Sequence, residues 1–177
     1  MSGDLFFYNA STGAVAVGRV SNDGNFTNVT TGGGLSTDWD HIVPLGRDLF
    51  FYNASTGAVA VGRVSDDGNF TNVTTGGGLS TDWDHIVPLG RDLFFYNAST
   101  GAVAVGRVSD DGNFTNVTTG GGLSTNWDHI VPLGRDLFFY NASTGAVAVG
   151  RVSDDGNFTT VTTGGGLSTD WDHIVNI

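Results

Sequence analysis

The chain has 177 residues, a formal net charge of −11 and no cysteine. The acidic charge argues against a nucleic-acid partner, and the lack of cysteine excludes disulfides and thiolate metal sites. No apolar run approaches the roughly 20 residues that span a bilayer, so no membrane partner is expected. The first residues also lack a basic segment followed by an apolar one, so the sequence as written predicts no signal peptide and a cytoplasmic location.

The chain consists of one 44-residue block, repeated four times with very few changes. Asp4, Asp48, Asp92 and Asp136 open the copies, which gives approximate repeats of 4–47, 48–91, 92–135 and 136–177. No linker or change in composition separates the copies, so we interpret 1–177 as a single domain. Copies this similar indicate either a very recent duplication or a designed or consensus sequence.

The composition predicts an all-β fold. Lys, Glu and Gln are absent, and these are good helix formers, whereas Val, Thr and aromatic residues are abundant. Starting at the second Trp, four strands are predicted in chain order: Asp84–Val87, Leu93–Tyr96, Ala102–Val108 and Phe114–Thr119. Short polar connections with glycine join them, which predicts an antiparallel meander in which Gly112 takes a positive φ.

Burial of the strands predicts a β-propeller. Leu-Phe-Phe-Tyr and Ala-Val-Ala-Val are apolar at successive positions, so both faces of these strands need cover. Phe-Thr-Asn-Val-Thr-Thr is mostly polar, as an edge strand is. Four-stranded sheets of this length packed face to face are propeller blades, and a β-solenoid is the main alternative.

The ends of the chain predict how the ring closes. The chain starts just after the Trp-Asp-His-Ile-Val strand of a copy and finishes with that strand at Trp171–Val175. The first blade therefore lacks one strand, which the C-terminal strand is expected to supply. Four blades close alone as a monomer, or oligomerisation produces a larger ring, and the sequence leaves both open.

One loop face of the propeller gathers residues suited to binding a carbohydrate. Strand parity places Asn-Ala-Ser-Thr-Gly and the Gly-rich loop before the Trp on the same face. Sugar recognition needs an aromatic plane and a few fixed polar groups, which this face offers once in each copy. The candidate carbohydrate-binding residues are Asn9, Ser36, Asp38, Trp39, Asn53, Ser80, Asp82, Trp83, Asn97, Ser124, Asn126, Trp127, Asn141, Ser168, Asp170 and Trp171.

The run Trp-x-His-Ile, Leu-Phe-Phe-Tyr and Gly-Ala-Val-Ala-Val resembles the tachylectin-2 type of sugar-binding propeller, and also repeats of uncharacterised bacterial proteins. The resemblance covers all four copies. It implies one weak site per blade for N-acetylated sugars, and binding strengthened by several sites. The chain departs from that family in having four copies instead of five, and Trp-Asp-His where the family is variable.

Other interpretations of the same residues stay open. Trp39 is also suited to packing between blades, and Asp40 and His41 to a structural hydrogen-bonded pair. A metal site of Asp38, Asp40 and His41 is a remote alternative, because adjacent strand residues point to opposite sides. A symmetric scaffold without a ligand is the main functional alternative. We expect no enzyme activity, no cofactor and no metal, since a full active site repeated four times is unusual.

Overall fold

The structure is a computed structural model that describes residues 3–177. Over this range the chain forms four antiparallel sheets joined by turns and loops. The predicted all-β fold of repeated propeller-type blades is confirmed. Within the described range no helix is long and apolar enough to cross a membrane.

Each sheet is a meander whose strands follow one another in chain order. The first sheet contains β1 (Gly3–Asn9), β2 (Ala14–Val20) and β3 (Phe26–Gly32). The second contains β4 (His41–Leu45), β5 (Asp48–Tyr52), β6 (Val59–Val64) and β7 (Phe70–Gly76). The third contains β8 (His85–Leu89), β9 (Asp92–Tyr96), β10 (Val103–Val108) and β11 (Phe114–Gly120). The fourth contains β12 (His129–Leu133), β13 (Asp136–Tyr140), β14 (Val147–Val152) and β15 (Phe158–Gly164).

Burial follows the apolar pattern of the strands. Every residue of β5 and β9 is buried, as the consecutive apolar positions predict. The last strand of each sheet is largely exposed, and its pairing shifts register by one residue, between Val105 and Gly106 in the third sheet. This irregularity recurs in all four sheets and leaves one Val of the last strand unpaired. Such a bulge bends an edge strand.

Two glycines of the repeat show why the loops need them. Gly112 has a φ of 82°, which confirms the predicted positive φ. Gly101 has a φ of 71°, and a Cβ at this residue would lie 2.0 Å from the carbonyl oxygen of Leu123. The Asn-Ala-Ser-Thr-Gly turn therefore packs against the backbone of the Gly-rich loop, and no side chain fits between them.

The chain divides into two compact units, Met1–Thr81 and Asp82–Ile177. In the first, Val17 of the first sheet packs with Leu49, Phe51 and Ala60 of the second, and Trp39 lies against this core. In the second, a larger core joins residues of the third and fourth sheets, including Phe94, Trp127 and Phe139. The interpretation of the chain as a single domain stays a prediction.

The C-terminal strand predicted at Trp171–Val175 is not formed. This segment has no strand assignment, and the first sheet has three strands instead of four. In the other sheets the equivalent segment pairs with the Leu-Phe-Phe-Tyr strand, as His41 of β4 does with Tyr52 of β5. Among the described residues, strand β1 therefore keeps an unpaired edge, and the expected closure of the first sheet by the C-terminus is corrected.

Candidate functional site

The predicted Asn residues stabilise their own turn. The Oδ1 atom of Asn53 accepts hydrogen bonds from the backbone amides of Ser55 and Thr56, at 3.1 and 2.8 Å. Its Nδ2 donates to the carbonyl oxygen of Asp38 in the preceding loop. Asn9, Asn97 and Asn141 hold the same turn, and Asn97 and Asn141 donate in the same way to Asp82 and Asn126.

The predicted Ser residues take part through their backbone. The hydroxyl of Tyr96, at the end of β9, donates to the carbonyl oxygen of Ser124 at 2.8 Å. The same hydroxyl accepts from the amide of Trp127 at 3.2 Å. Tyr8, Tyr52 and Tyr140 donate equally to the carbonyls of Ser36, Ser80 and Ser168. Each Tyr thus anchors the Gly-rich loop of its own copy, which residue spacing did not reveal.

The residue before each Trp bends the chain. Asp38, Asp82, Asn126 and Asp170 all have φ between 66° and 70°, the left-handed region that Asp and Asn tolerate best among residues other than glycine. Their side chains are exposed. This backbone conformation explains why the third copy tolerates Asn126 where the other copies have Asp.

The predicted Trp residues lie mostly inside the protein. Trp83 and Trp127 are 7 % and 6 % exposed, and Trp39 is half-buried against Phe51 with ring centroids 5.7 Å apart. Only Trp171, among the four, is exposed. Within the described residues, the buried indole N–H groups of Trp39 and Trp127 have no hydrogen-bond partner. Three of the four indoles therefore pack against the core, Trp83 and Trp127 almost completely and Trp39 in part.

An Asp-His dipeptide lies at the start of the first strand in the second, third and fourth sheets. The Oδ2 atom of Asp128 accepts from the amide of Ala142 at 2.7 Å, and Asp40 and Asp84 accept equally from Ala54 and Ala98. The imidazole of His129 lies beside the ring of Tyr140, with centroids 5.9 Å apart. The expected hydrogen bond between Asp40 and His41 is not formed. The Asp40 carboxylate accepts a hydrogen bond from the backbone amide of Ala54 instead.

Two of these carboxylates act electrostatically on one tyrosine. Burial raises the pKa of Tyr96, the amide of Trp127 opposes this, and the negative charges of Asp84 and Asp128 raise it further. The amide of Asp84 donates to the carbonyl oxygen of Tyr96 at 3.1 Å, and the ring centroids of Tyr96 and His85 lie 5.8 Å apart. Strands β8 and β12, which follow the two carboxylates, contact one another. We call Asp84, His85, Asp128 and His129 the acid–imidazole cluster.

Among the described residues, no group of three His, Cys, Asp or Glu residues is arranged to hold a metal ion. In the acid–imidazole cluster, one oxygen of each carboxylate is already bound to a backbone amide. Neither ring nitrogen of His129 has a hydrogen-bond partner in the part of the chain that the structure describes, and the same holds for His41.

All seven Arg residues are occupied. Arg107 and Arg135 bind Asp92, at 2.5 and 2.6 Å. Arg91 donates to the carbonyl of Val108 at 2.9 Å and lies 3.8 Å from Asp110. The remaining pairs are Arg19 and Arg47 with Asp4, Arg63 with Asp48, and Arg151 with Asp136.

Comparison with known proteins identifies the fold but no family. No protein-family model matches the chain, and no curated protein does. Solved structures do match. One is a protein from Lactobacillus plantarum, with 21% identity and a TM-score of 0.62 over 93% of this chain and 54% of that one.

Two further matches have names that describe an activity. A periplasmic gluconolactonase from Pseudomonas aeruginosa is 17% identical, with a TM-score of 0.57 over 94% of this chain and 52% of that one. A protein from Bacteroides uniformis, designated a 6-phosphogluconolactonase, is 19% identical, with a TM-score of 0.61 over 96% of this chain and 54% of that one. The chain thus spans about half the length of these proteins.

These findings correct three predictions. Two of the matched structures are named as lactonases and none of the three as a lectin, so the predicted carbohydrate-binding function is not supported, nor is the ligand-free scaffold. The prediction of no enzyme activity is corrected on the same ground. The physical reason lies in the predicted site itself, because its Asn, Ser and Trp groups are used by turns, loops and core. The comparisons do not show membership of the tachylectin-2 type.

Proposed function

We propose that the chain hydrolyses a sugar lactone, either by itself or as part of a longer propeller enzyme. The observation that carries this proposal is the acid–imidazole cluster, in which the ring nitrogens of His129 have no hydrogen-bond partner among the described residues and Asp128 precedes it in the chain. The names of the matched gluconolactonases supply the substrate class. Imidazole is the side chain best suited to general acid–base catalysis near neutral pH.

Lactone hydrolysis requires only groups of this kind. A His imidazole takes a proton from water while the water oxygen attacks the lactone carbonyl carbon. The tetrahedral intermediate then collapses, the ring C–O bond breaks, and the imidazolium returns the proton to the leaving alkoxide. In this proposal the carboxylates of Asp84 and Asp128 favour the imidazolium through charge attraction.

The charges of the chain select a neutral lactone over a phosphorylated one. All seven Arg residues are bound to carboxylates or backbone carbonyls, Lys is absent, and the net charge is −11. A phosphate group would meet carboxylates at the acid–imidazole cluster and no free cation. We therefore expect glucono-δ-lactone to be hydrolysed faster than its 6-phosphate.

The test is a lactonase assay on the purified chain with glucono-δ-lactone, in which acid release is followed in a pH-stat and spontaneous hydrolysis is subtracted. A variant with His41, His85, His129 and His173 all changed to Asn should lose about 100-fold or more of the catalysed rate, which is typical for loss of a general base. Circular dichroism should show that this variant remains folded.

The matched control is Asn116→Thr, the change that the fourth copy already has at Thr160. This residue lies on the exposed strand β11, away from the cluster, and the control should keep the full rate. A folded wild-type chain that hydrolyses the lactone no faster than buffer would contradict the proposal. So would a four-histidine variant as active as the control.

A further inference from the structure

The first sheet lacks a partner that the other sheets have. In the second sheet, β4 pairs with β5 in the register His41 to Tyr52, Ile42 to Phe51 and Val43 to Phe50. The third and fourth sheets repeat this register. Strand β1 has the same sequence as β5 but pairs only with β2. Its other edge therefore presents a row of unpaired backbone groups, which can accept another strand.

The side chains of β1 show the same incompleteness. Leu5 and Phe7 are 48 % and 46 % exposed, whereas their equivalents in the third sheet, Leu93 and Phe95, are 0 % and 1 % exposed. A groove with a volume of about 660 Å³ runs beside β1 and is lined by Leu5, Phe6, Ile42 and Pro44, among others.

The hydrogen bonds at the end of β1 are also missing. In the second sheet, Asn53 Nδ2 donates to the carbonyl of Asp38, and the amide of Ala54 donates to Asp40 at 2.7 Å. The equivalent donors, Asn9 Nδ2 and the amide of Ala10, have no partner among the described residues. Their missing acceptors correspond to Asp170 and Asp172 of the C-terminal segment.

The C-terminal segment Trp171–Ile177 has the sequence of a strand but forms no strand. It carries the sequence of β4 up to Val175, yet Trp171, Val175 and Ile177 are 52 %, 76 % and 114 % exposed. The amide of Trp171 contacts the Tyr140 hydroxyl at 3.4 Å, as Trp127 does with Tyr96. Asn176 Nδ2 lies 3.4 Å from the carbonyl of Pro132. Tyr140 and Pro132 of the fourth sheet thus hold the segment in place. It resembles the first strand of a further sheet whose second strand is missing.

We propose that Trp171–Ile177 of a second copy of this chain forms the missing strand of the first sheet, and that two copies exchange these segments reciprocally. The register is taken from the second, third and fourth sheets. It places His173 opposite Tyr8, Ile174 opposite Phe7, and Val175 opposite Phe6. Asn9 Nδ2 then donates to the Asp170 carbonyl of the second copy, and the amide of Ala10 to its Asp172 carboxylate. Phe7 and Ile174 cover one another.

The size of the matched structures supports a second copy as the occupant. Three solved structures each match over 93% or more of this chain, and the chain covers only 52% to 54% of their length. Two copies therefore supply the amount of chain that those single proteins contain. The inference does not depend on the proposed lactonase function, although the second copy also brings another Asp-His pair, Asp172 and His173, to the first sheet.

Disulfide trapping tests the register, because the chain has no cysteine of its own. In the double variant Phe7→Cys with Ile174→Cys, the two Cα atoms lie at the spacing of an antiparallel pair, which a disulfide bridges. Mild oxidation should give a covalent two-copy species on a non-reducing gel, with a mass of twice 18.4 kDa. The control, Phe7→Cys with Asn176→Cys, shifts the pair by two residues and should not cross-link.

Each other outcome would overturn the proposal. A disulfide within one chain would mean that the chain's own C-terminus closes the first sheet. No disulfide, or equal cross-linking of the control, would mean that the segment does not occupy this register. A ladder of larger species would contradict the reciprocal exchange of two copies.

A second measurement needs no oxidation. Light scattering after size-exclusion chromatography should give twice 18.4 kDa for the unmodified chain. Ile174→Asp, which would place a carboxylate against Phe7, should shift the chain to a monomer that remains folded, and Ile174→Val should keep the pair of copies. A monomeric unmodified chain at micromolar concentration, or a two-copy Ile174→Asp variant, would refute the exchange.

Discussion

The Asp at the start of each copy forms ion pairs with Arg side chains. Asp92 is 2 % exposed, and Arg107 and Arg135 both bind it. Burial alone raises the pKa of Asp92, but the hydrogen bonds from the two Arg side chains outweigh it and hold the pKa below the usual Asp value. A buried carboxylate with two such partners is stabilising only while it stays charged.

Replacing Asp92 by Asn should lower the free energy of unfolding by about 2–3 kcal/mol, because two Arg side chains lose a charged partner at a buried position. Asp136→Asn is the matched control, since Asp136 is the same residue of the fourth copy but is 29% exposed and binds only Arg151. Its loss should be clearly smaller, because solvent screens an exposed ion pair. Urea unfolding measures both, and equal losses would contradict this account of the network.

At the scale of the element, identical sequences gave different structures. Trp-Asp-His-Ile-Val predicts a strand in every copy, and β4, β8 and β12 confirm it within one or two residues. The fourth occurrence, at Trp171–Val175, forms no strand. A strand needs a neighbour to pair with, and local sequence does not report whether that neighbour is present. The alternation of strands and turns was therefore predictable from local sequence, whereas the open edge of β1 was not.

The candidate site was predictable only in part. The Asp-His dipeptide is visible in the sequence, but the contact between strands β8 and β12, which brings two copies of it together, depends on packing between separate copies of the repeat. The sequence left open whether the Trp residues pack or bind a ligand, because their place against Phe51 or Phe139 is decided by sheet packing. Residue type indicates what a side chain is able to do, and packing decides which of these uses is realised.

Gly101→Ala tests the contact between two loops. The new Cβ would lie 2.0 Å from the Leu123 carbonyl oxygen at a φ of 71°, so the loops must separate. We expect a loss of about 2–4 kcal/mol in the free energy of unfolding, as for other strained backbone substitutions. The control is Gly121→Ala, where the nearest atom is Ala102 Cα at 3.9 Å, and its change should stay within about 0.5 kcal/mol. A tolerated Gly101→Ala would show that this contact is loose.

At the scale of the whole molecule, stability should fall in acid. Hydrogen bonds from Arg19 to Asp4 and from Arg151 to Asp136 lower the pKa of each carboxyl, as they do at Asp92. Hydrogen bonds from Ser and Asn lower it at Asp23, Asp67, Asp111 and Asp155. The unfolded chain therefore takes up protons at a higher pH than the folded chain does.

The consequence has a definite sign. The stabilisation is fully present above the usual Asp pKa of 3.8 and is lost as the pH falls from there through the lowered values of the folded state. The melting temperature, followed by circular dichroism, should drop steadily below pH 4, and Asp92→Asn should show a smaller drop. A melting temperature that stays flat or rises between pH 4 and pH 2 would contradict this expectation.

The unpaired edge of β1 also determines what happens when two copies fail to meet correctly. When the C-terminal segment of one copy binds β1 of another, two different surfaces of the chain meet. Contacts of this kind either form a closed assembly or add further copies without limit. If two copies exchange their C-terminal segments reciprocally, the assembly stops at two molecules. If each copy only gives its segment to the next, the edge of β1 in one copy stays open at every step. Slow refolding at high protein concentration should therefore produce fibres. Brief dilution before assembly should avoid them.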